Sequence, residues 1–182
     1  MLNRAAALAW QARRSAVAKR PLSSAGEARY PSALTRIQPL LSVLNSDQIS
    51  SLRSSFAALE PLAPVVAGRF YSRLFELDPS LRGLFHGDMR SQGQKLMGML
   101  GFIVGNLEEP ETLVPAVEEL GIRHAGYRVE PRHYETVGVA LIAAMADTLG
   151  EAFTREAAGA WREAYDFLAK VMIDAAESAR GA

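Results

Sequence analysis

The spacing of its apolar residues is the feature that most constrains the fold of this chain. From Ile49 onwards, apolar side chains recur every three or four positions. This spacing places them on one face of an α-helix, which has about 3.6 residues per turn. No segment beyond residue 45 shows the strict alternation typical of a half-buried strand. The pattern therefore predicts an all-α domain whose helices pack around one core.

Proline, glycine and capping residues divide this pattern into separate helices. Ser46 is a candidate N-cap for the first helix, in the segment NSDQISSLRSSFAAL. Asp78 is expected to cap a short helix in DPSLRGLF, and Thr154 to cap the last long helix. The sequence thus predicts six to eight helices in a domain at residues 45–182, preceded by an N-terminal extension at residues 1–44.

Composition and charge exclude several classes of function. The formal net charge is zero, which gives no sign of nucleic-acid binding. The chain has no cysteine, so disulfides, thiolate catalysis and cysteine zinc sites are excluded. No phosphate-binding glycine loop, serine triad or integral membrane segment is recognisable. Three histidines are too few for a multi-histidine metal site, but a cofactor that needs one histidine ligand remains possible.

The N-terminal extension has an unusual charge distribution. Its first 26 residues contain basic side chains and no acidic one, and they are rich in alanine and serine. This composition is typical of a mitochondrial presequence, followed here by a linker. The alternative is a disordered or loosely helical extension of a bacterial protein. We therefore expect an intracellular protein, mitochondrial under the first interpretation and cytoplasmic under the second.

Three polar residues lie on the apolar stripes of three predicted helices: Tyr71, Gln92 and His124. One polar side chain on such a stripe is usually satisfied by a nearby backbone carbonyl. Without a partner, a buried polar group costs about 1–3 kcal/mol. If the three helices meet, a phenol, an amide and an imidazole can surround one ligand, and the imidazole can bind a metal. The residues alone leave both interpretations open, including that of a helical bundle without a cofactor.

Several segments resemble one known family in both order and spacing. They are RFYSRLFELDPSLRGLF, QGQKLM, LGIRHAGYRV, HYETVGVALI and AWREAYDFLAKVM. They are similar to the globin domain of bacterial single-domain haemoglobins and flavohaemoglobins, and the nearest likeness is to globins of the Hell's Gate type. The resemblance covers roughly residues 46–175. It implies the globin fold, a pocket for non-covalently held haem b, and dioxygen as a ligand.

The resemblance also implies roles for individual residues. His124 matches the proximal histidine that binds the haem iron, and Tyr71 and Gln92 match the distal residues that stabilise the gas ligand. Four more residues match positions around the haem, namely Phe85 at a corner, Lys95 near a propionate, Leu96 in the distal wall and Tyr134 near the proximal histidine. His86 and His133 are not expected to bind iron, and His133 is expected to be exposed.

The match departs from flavohaemoglobins behind the proximal histidine. Those proteins carry a glutamate late in the last helix, which hydrogen-bonds the proximal histidine. In this chain Ala176 takes that position, and Glu177 follows it. Without the carboxylate, the imidazole donates less electron density to the iron. The departure weakens the case for peroxidase-like or strong dioxygenase chemistry.

The resemblance implies a globin that binds oxygen reversibly and with high affinity, for scavenging or storage. The alternative is a nitric oxide dioxygenase, which converts nitric oxide to nitrate and needs a separate reductase as its partner. A gas sensor is the third possibility. Sensors normally carry an output module, and none is recognisable in this sequence.

Overall fold

The computed structural model describes residues 44–181, so the predicted presequence and linker lie outside the described residues. Within this range the chain forms six α-helices and no strand, which confirms the all-α prediction. The helices are α1 (Ser46–Leu59), α2 (Ala63–Leu77), α3 (Met89–Gly105), α4 (Pro110–Gly126), α5 (Pro131–Leu149) and α6 (Arg155–Arg180). Short 3-10 helices lie at Glu60–Leu62, Pro79–Leu84 and Gly150–Ala152.

Two of the three predicted capping residues cap their helices, and the third cap lies one residue earlier than predicted. Asn45, and not Ser46, caps α1, because the Asn45 side chain and the Gln48 side chain each accept the other residue's backbone N–H at 2.9 Å. This reciprocal capping box places the cap one residue before the predicted position. Asp78 and Thr154 accept backbone N–H groups in the first turns of the 3-10 helix and of α6, as predicted.

In the core α6 packs against α4, α1 and α5, and α2 packs against α5. Trp161 of α6 is buried, and its indole N–H donates to the Ser55 hydroxyl of α1 at 2.9 Å. Leu113 and Met145 bring α4 and α5 into the same core and are fully buried. Burying such a side chain stabilises the fold by about 1.5–3 kcal/mol.

Two glycines allow close crossings of helices that carry candidate site residues. A Cβ atom at Gly93 of α3 would lie 2.8 Å from Cβ of Ala67 in α2. A Cβ atom at Gly121 of α4 would lie 2.5 Å from Cα of Met172 in α6. Real Cβ atoms do not approach so closely in a well-packed interior. These crossings hold α3 on α2 and α4 on α6.

The consecutive helices α3 and α4 pack on different parts of the core. α3 lies against α2 and α1, whereas α4 lies against α6. The two make almost no contact with each other. In residues 44–181, no helix combines the length and the apolar character that crossing a membrane requires.

Candidate functional site

Tyr71 lies in α2 at the centre of an aromatic cluster formed by Phe70, Tyr71, Phe75 and Phe85. Its ring centroid is 4.8 Å from that of Phe70, 6.0 Å from Phe75 and 5.3 Å from Phe85. Phe85 follows the 3-10 helix at the corner before α3 and meets Tyr71 edge to face. The structure thus brings together two residues that are 14 positions apart in the sequence.

The hydroxyl group of Tyr71 is the distinctive polar feature of this cluster. The side chain is only 8% exposed. Burial raises the pKa of Tyr71 to about 12, so the phenol keeps its proton at neutral pH. Its hydroxyl forms no hydrogen bond to the residues that the structure describes. The phenol is therefore a neutral donor that is available to a ligand.

Gln92 lies near the crossing of α2 and α3. It directly precedes Gly93, which contacts Ala67 one helical turn before Tyr71. Its Nε2 atom donates to the backbone carbonyl of His86 at 3.3 Å, a long and weak hydrogen bond. The amide is therefore loosely held and keeps a second N–H for another acceptor.

The sequence predicts one buried stripe on α3 that includes Gln92, Leu96 and Leu100, and this prediction is wrong in one respect. Leu100 is buried together with Gly93, whereas Gln92 and Leu96 are half-buried. The centres of the two rows differ by about 70° around the helix. Only the first faces α2 and α1, so the second remains partly open. Lys95 is exposed beside it.

His124 lies in the last turn of α4 and is half-buried. Its Nδ1 atom is 2.9 Å from the carbonyl oxygen of Leu120. A carbonyl oxygen only accepts, so Nδ1 carries the hydrogen and Nε2 carries the free lone pair. Burial lowers the pKa of His124, the nearby charge of Arg123 lowers it further, and the Leu120 carbonyl opposes both effects. The imidazole is therefore neutral at neutral pH and can bind a metal through Nε2.

Tyr134 of α5 lies beside His124, as the resemblance implies. The two ring centroids are 6.3 Å apart and the planes are inclined by 31°. Tyr134 is buried, and burial raises the pKa of its phenol. Its backbone carbonyl accepts a hydrogen bond of 2.6 Å from the hydroxyl of Tyr165 in α6. Helical spacing places Tyr165 on the same face of α6 as Trp161, but it does not show a contact with another helix.

Near the end of α6, Ala176 takes the position that matches the glutamate of flavohaemoglobins. Ala176 is buried, whereas the neighbouring Glu177 is exposed. Adjacent residues on a helix point about 100° apart, so Glu177 leaves the helix in a different direction from Ala176. Together with Tyr134 and Arg180, both residues line a cavity of about 10 Å³, which has room for about one water molecule.

The other two histidines differ from each other. His86 is exposed. The prediction that His133 is exposed is wrong, because it is only 6% exposed. Its Nδ1 atom accepts the backbone N–H of Glu130 at 3.0 Å and so completes the cap of α5. The three-residue spacing of a capping box was the signal in the sequence.

The described part of the chain offers isolated candidate metal ligands and no cluster of them. No group of three or more acidic or histidine side chains between residues 44 and 181 is placed to hold a metal ion. A single neutral imidazole instead suits a metal that brings most of its ligands with it, as in haem.

Much of the sequence is similar to known proteins. Residues 68–172 match the family model described as Globin. The flavohemoprotein of Vibrio cholerae is 29% identical over 135 residues, which cover 72% of this chain and 34% of that protein. The flavohemoprotein of Xylella fastidiosa is 33% identical over 129 residues, or 69% of this chain and 32% of that protein. The chain thus spans about a third of the length of these bacterial relatives, which give no support to a mitochondrial presequence.

Solved structures share the architecture. An engineered carbene transferase, derived from a Rhodothermus marinus protein described as a nitric oxide dioxygenase, has a TM-score of 0.69 and 28% identity. That similarity covers 76% of this chain and 96% of the other. A globin of Campylobacter jejuni has a TM-score of 0.67 and is 23% identical, so it supports the fold. That similarity covers 76% of this chain and 100% of the Campylobacter chain. Because the family model matches more than half of its residues, this chain belongs to the globin family.

Proposed function

We propose that this chain holds haem b between α3 and α4 and binds dioxygen reversibly, with high affinity, at a ferrous iron ligated by His124. The observation that carries the proposal is the state of His124. Its Nδ1–H is bound to the Leu120 carbonyl, and its Nε2 is free on a neutral, half-buried ring. A hydrogen bond from the other ring nitrogen fixes the tautomer and orientation of a metal-binding histidine.

The helices around His124 fit a flat, largely apolar cofactor. α3 and α4 pack on different neighbours and make almost no contact with each other. Phe85, Leu96 and Leu120 are half-buried apolar residues that can cover the porphyrin and exclude water. Lys95 is exposed on α3 and is available to a propionate. The chain has no cysteine, so the haem is held without thioether links.

Tyr71 and Gln92 supply the distal hydrogen bonds in this proposal. Haem supplies an iron atom that binds diatomic gases, and the protein decides how tightly such a ligand is held. A charge-assisted hydrogen bond contributes about 1.5–3 kcal/mol. Two such bonds slow the release of dioxygen by about two to four decades relative to an apolar pocket. Slow release suits scavenging or storage at low oxygen.

Nitric oxide dioxygenase activity is the second candidate. It is favoured by the similarity to bacterial flavohemoproteins and to a protein described as a nitric oxide dioxygenase. In that reaction nitric oxide, dioxygen and one electron give nitrate, so a reductase is needed for each further turnover. The buried Ala176 favours the binding function instead, because a methyl group and not a carboxylate occupies this position of α6.

The test uses the full chain reconstituted with haem. We expect a Soret band, and the absence of this band would end the haem proposal. Stopped-flow spectroscopy then measures dissociation of dioxygen, and an electrode measures nitric oxide consumption in the presence of a reductase and NADH. Slow release of dioxygen with a single turnover supports oxygen binding. Rapid, repeated consumption of nitric oxide supports the dioxygenase.

A further inference from the structure

The 3-10 helix between α2 and α3 places Arg82 on the aromatic cluster around Tyr71. The Cζ atom of the Arg82 guanidinium group lies 4.5 Å from the centre of the Phe75 ring. The backbone carbonyl of Arg82 also accepts the N–H of Phe85 at 3.3 Å. Arg82 is therefore linked to two of the three phenylalanines whose rings surround Tyr71, to one through its side chain and to the other through its main chain.

The position of this guanidinium group is explained by the ring and not by a carboxylate. Arg82 is exposed, and its side chain forms no ion pair and no hydrogen bond within residues 44–181. An aromatic ring attracts a cation that lies over its face, and arginine is the side chain that most often does so. The apolar stem of an arginine can cover apolar surface at the same time. Phe75 is buried although the side chain beside it is exposed.

The orientation of the Tyr71 phenol depends on the rings that Arg82 holds. The Tyr71 hydroxyl forms no hydrogen bond to the described residues, so ring packing alone orients it. The Phe75 ring is stacked beside the Tyr71 ring, with the centroids 6.0 Å apart and the planes inclined by 29°. The same ring meets Phe85 edge to face at 5.6 Å. A rotation of the Phe75 side chain would therefore loosen the packing of both neighbours.

We propose that Arg82 is a positioning residue of the distal side, which holds the ring of Phe75 and thereby fixes the direction of the Tyr71 phenol. The inference rests on the proposed haem function and deepens it, because it names a residue that controls how tightly dioxygen is held. Arg82 acts through Phe75 and Phe85 and not as a donor to the gas. A merely structural contact would change the stability of the corner but not the release of dioxygen.

The test compares the haem-reconstituted wild type with Arg82→Gln, which keeps most of the stem but loses the charge. Stopped-flow spectroscopy measures the dissociation of dioxygen. Infrared spectroscopy of the ferrous carbon monoxide complex measures the C–O stretching band, which responds to hydrogen-bond donors near the ligand. We expect dissociation to be about 2- to 5-fold faster, the change that corresponds to one cation–π contact at an exposed site. The C–O band should shift or broaden.

Two further substitutions at the same position separate the charge from the stem. Arg82→Lys keeps a cation that can lie over the ring, so both readouts should remain close to those of the wild type. Arg82→Ala removes the stem as well, so its effect should be at least as large as that of Arg82→Gln. If Arg82→Ala does not retain haem, Arg82→Gln carries the test alone.

Two controls show whether the effect passes through Tyr71. In a Tyr71→Phe background, Arg82→Gln should leave the rate of dissociation unchanged, because the hydroxyl is already absent. Arg53→Gln removes an exposed arginine of α1 that pairs with Glu108, and both readouts should stay as in the wild type. The proposal is overturned if Arg82→Gln releases dioxygen at the wild-type rate, or if its effect persists with Phe at position 71. A wild type without a Soret band instead ends the haem proposal.

Discussion

The two sides of the proposed haem pocket differ in how their polar groups are satisfied. On the proximal side, the Nδ1–H of His124 is bound to Leu120, and the Tyr134 carbonyl is bound to Tyr165. On the distal side, the Tyr71 hydroxyl has no partner in residues 44–181, and Gln92 makes one bond of 3.3 Å. The protein thus completes the proximal hydrogen bonds itself and leaves distal donors available.

The proximal hydrogen bonds orient the proposed iron ligand, whereas the distal donors remain free to bind a gas. A metal ligand functions best when neighbouring groups fix its direction before the metal arrives. A gas ligand, by contrast, needs donors that are not already used. No side-chain nitrogen or oxygen atom in residues 44–181 is both fully buried and without a partner, so the unbonded Tyr71 hydroxyl stays accessible. An accessible phenol that is not already hydrogen-bonded is what a distal donor requires.

Replacing His124 should produce the largest effect, because it removes the group that the proximal side holds in place. We expect His124→Gly to weaken haem binding by more than about 100-fold, which exceeds the loss expected when only the hydrogen-bond partner of a metal ligand is removed. Transfer of haem to an excess of acceptor apoprotein measures the effect. Added imidazole should restore the iron–nitrogen bond, and His86→Ala should behave as the wild type. Unchanged haem retention in His124→Gly would disprove the ligand assignment.

Tyr71→Phe tests the open distal donor and should have the second largest effect. The aromatic cluster keeps its ring, so only the hydroxyl is lost. Loss of one charge-assisted bond of about 1.5–3 kcal/mol should speed the dissociation of dioxygen by about one to two decades. Stopped-flow measurement checks this, with Tyr127→Phe as the matched control. An unchanged off-rate would remove Tyr71 from the distal site.

Gly121→Ala tests how rigid the proximal side is. The added methyl group meets the main chain of Met172, which cannot rotate away. We expect a destabilisation of about 1–3 kcal/mol in thermal or urea unfolding. Gly98 is the control, because it is exposed on α3 and a Cβ atom added there would meet no other atom within 4 Å. Gly98→Ala should be neutral or should stabilise the fold by up to about 1 kcal/mol. Equal stabilities of the two variants would contradict the close crossing of α4 and α6.

Gln92→Leu should have the smallest effect and sharpens the comparison within the distal side. Because its amide is partly used by the His86 carbonyl, we expect a contribution of about 0.5–1.5 kcal/mol. Dissociation of dioxygen should be about 2- to 10-fold faster than in the wild type. A larger effect than that of Tyr71→Phe would reverse the order of the two donors.

Much of the fold was predictable because local physics decides it. The intervals of three and four residues predicted the helices, and Asp78 and Thr154 were recognised as caps from their positions. The cap at Asn45 was missed because Asn45 and Ser46 are both good capping residues. His133 was misplaced because a histidine three residues after Glu130 is an unusual member of a capping box.

The sequence by itself determined the helices and the direction of side chains around each helix axis, and the family resemblance singled out Tyr71, Gln92 and His124. Only the tertiary structure decided which of their polar atoms are already bonded. The Leu120 carbonyl follows from local helix geometry, but the contact of Tyr165 with Tyr134 joins α6 to α5 over 31 residues. Helical periodicity specifies the direction of a side chain around its own axis and not the neighbour that it meets. That choice depends on how the helices cross, and the close approaches at Gly93 and Gly121 are part of those crossings.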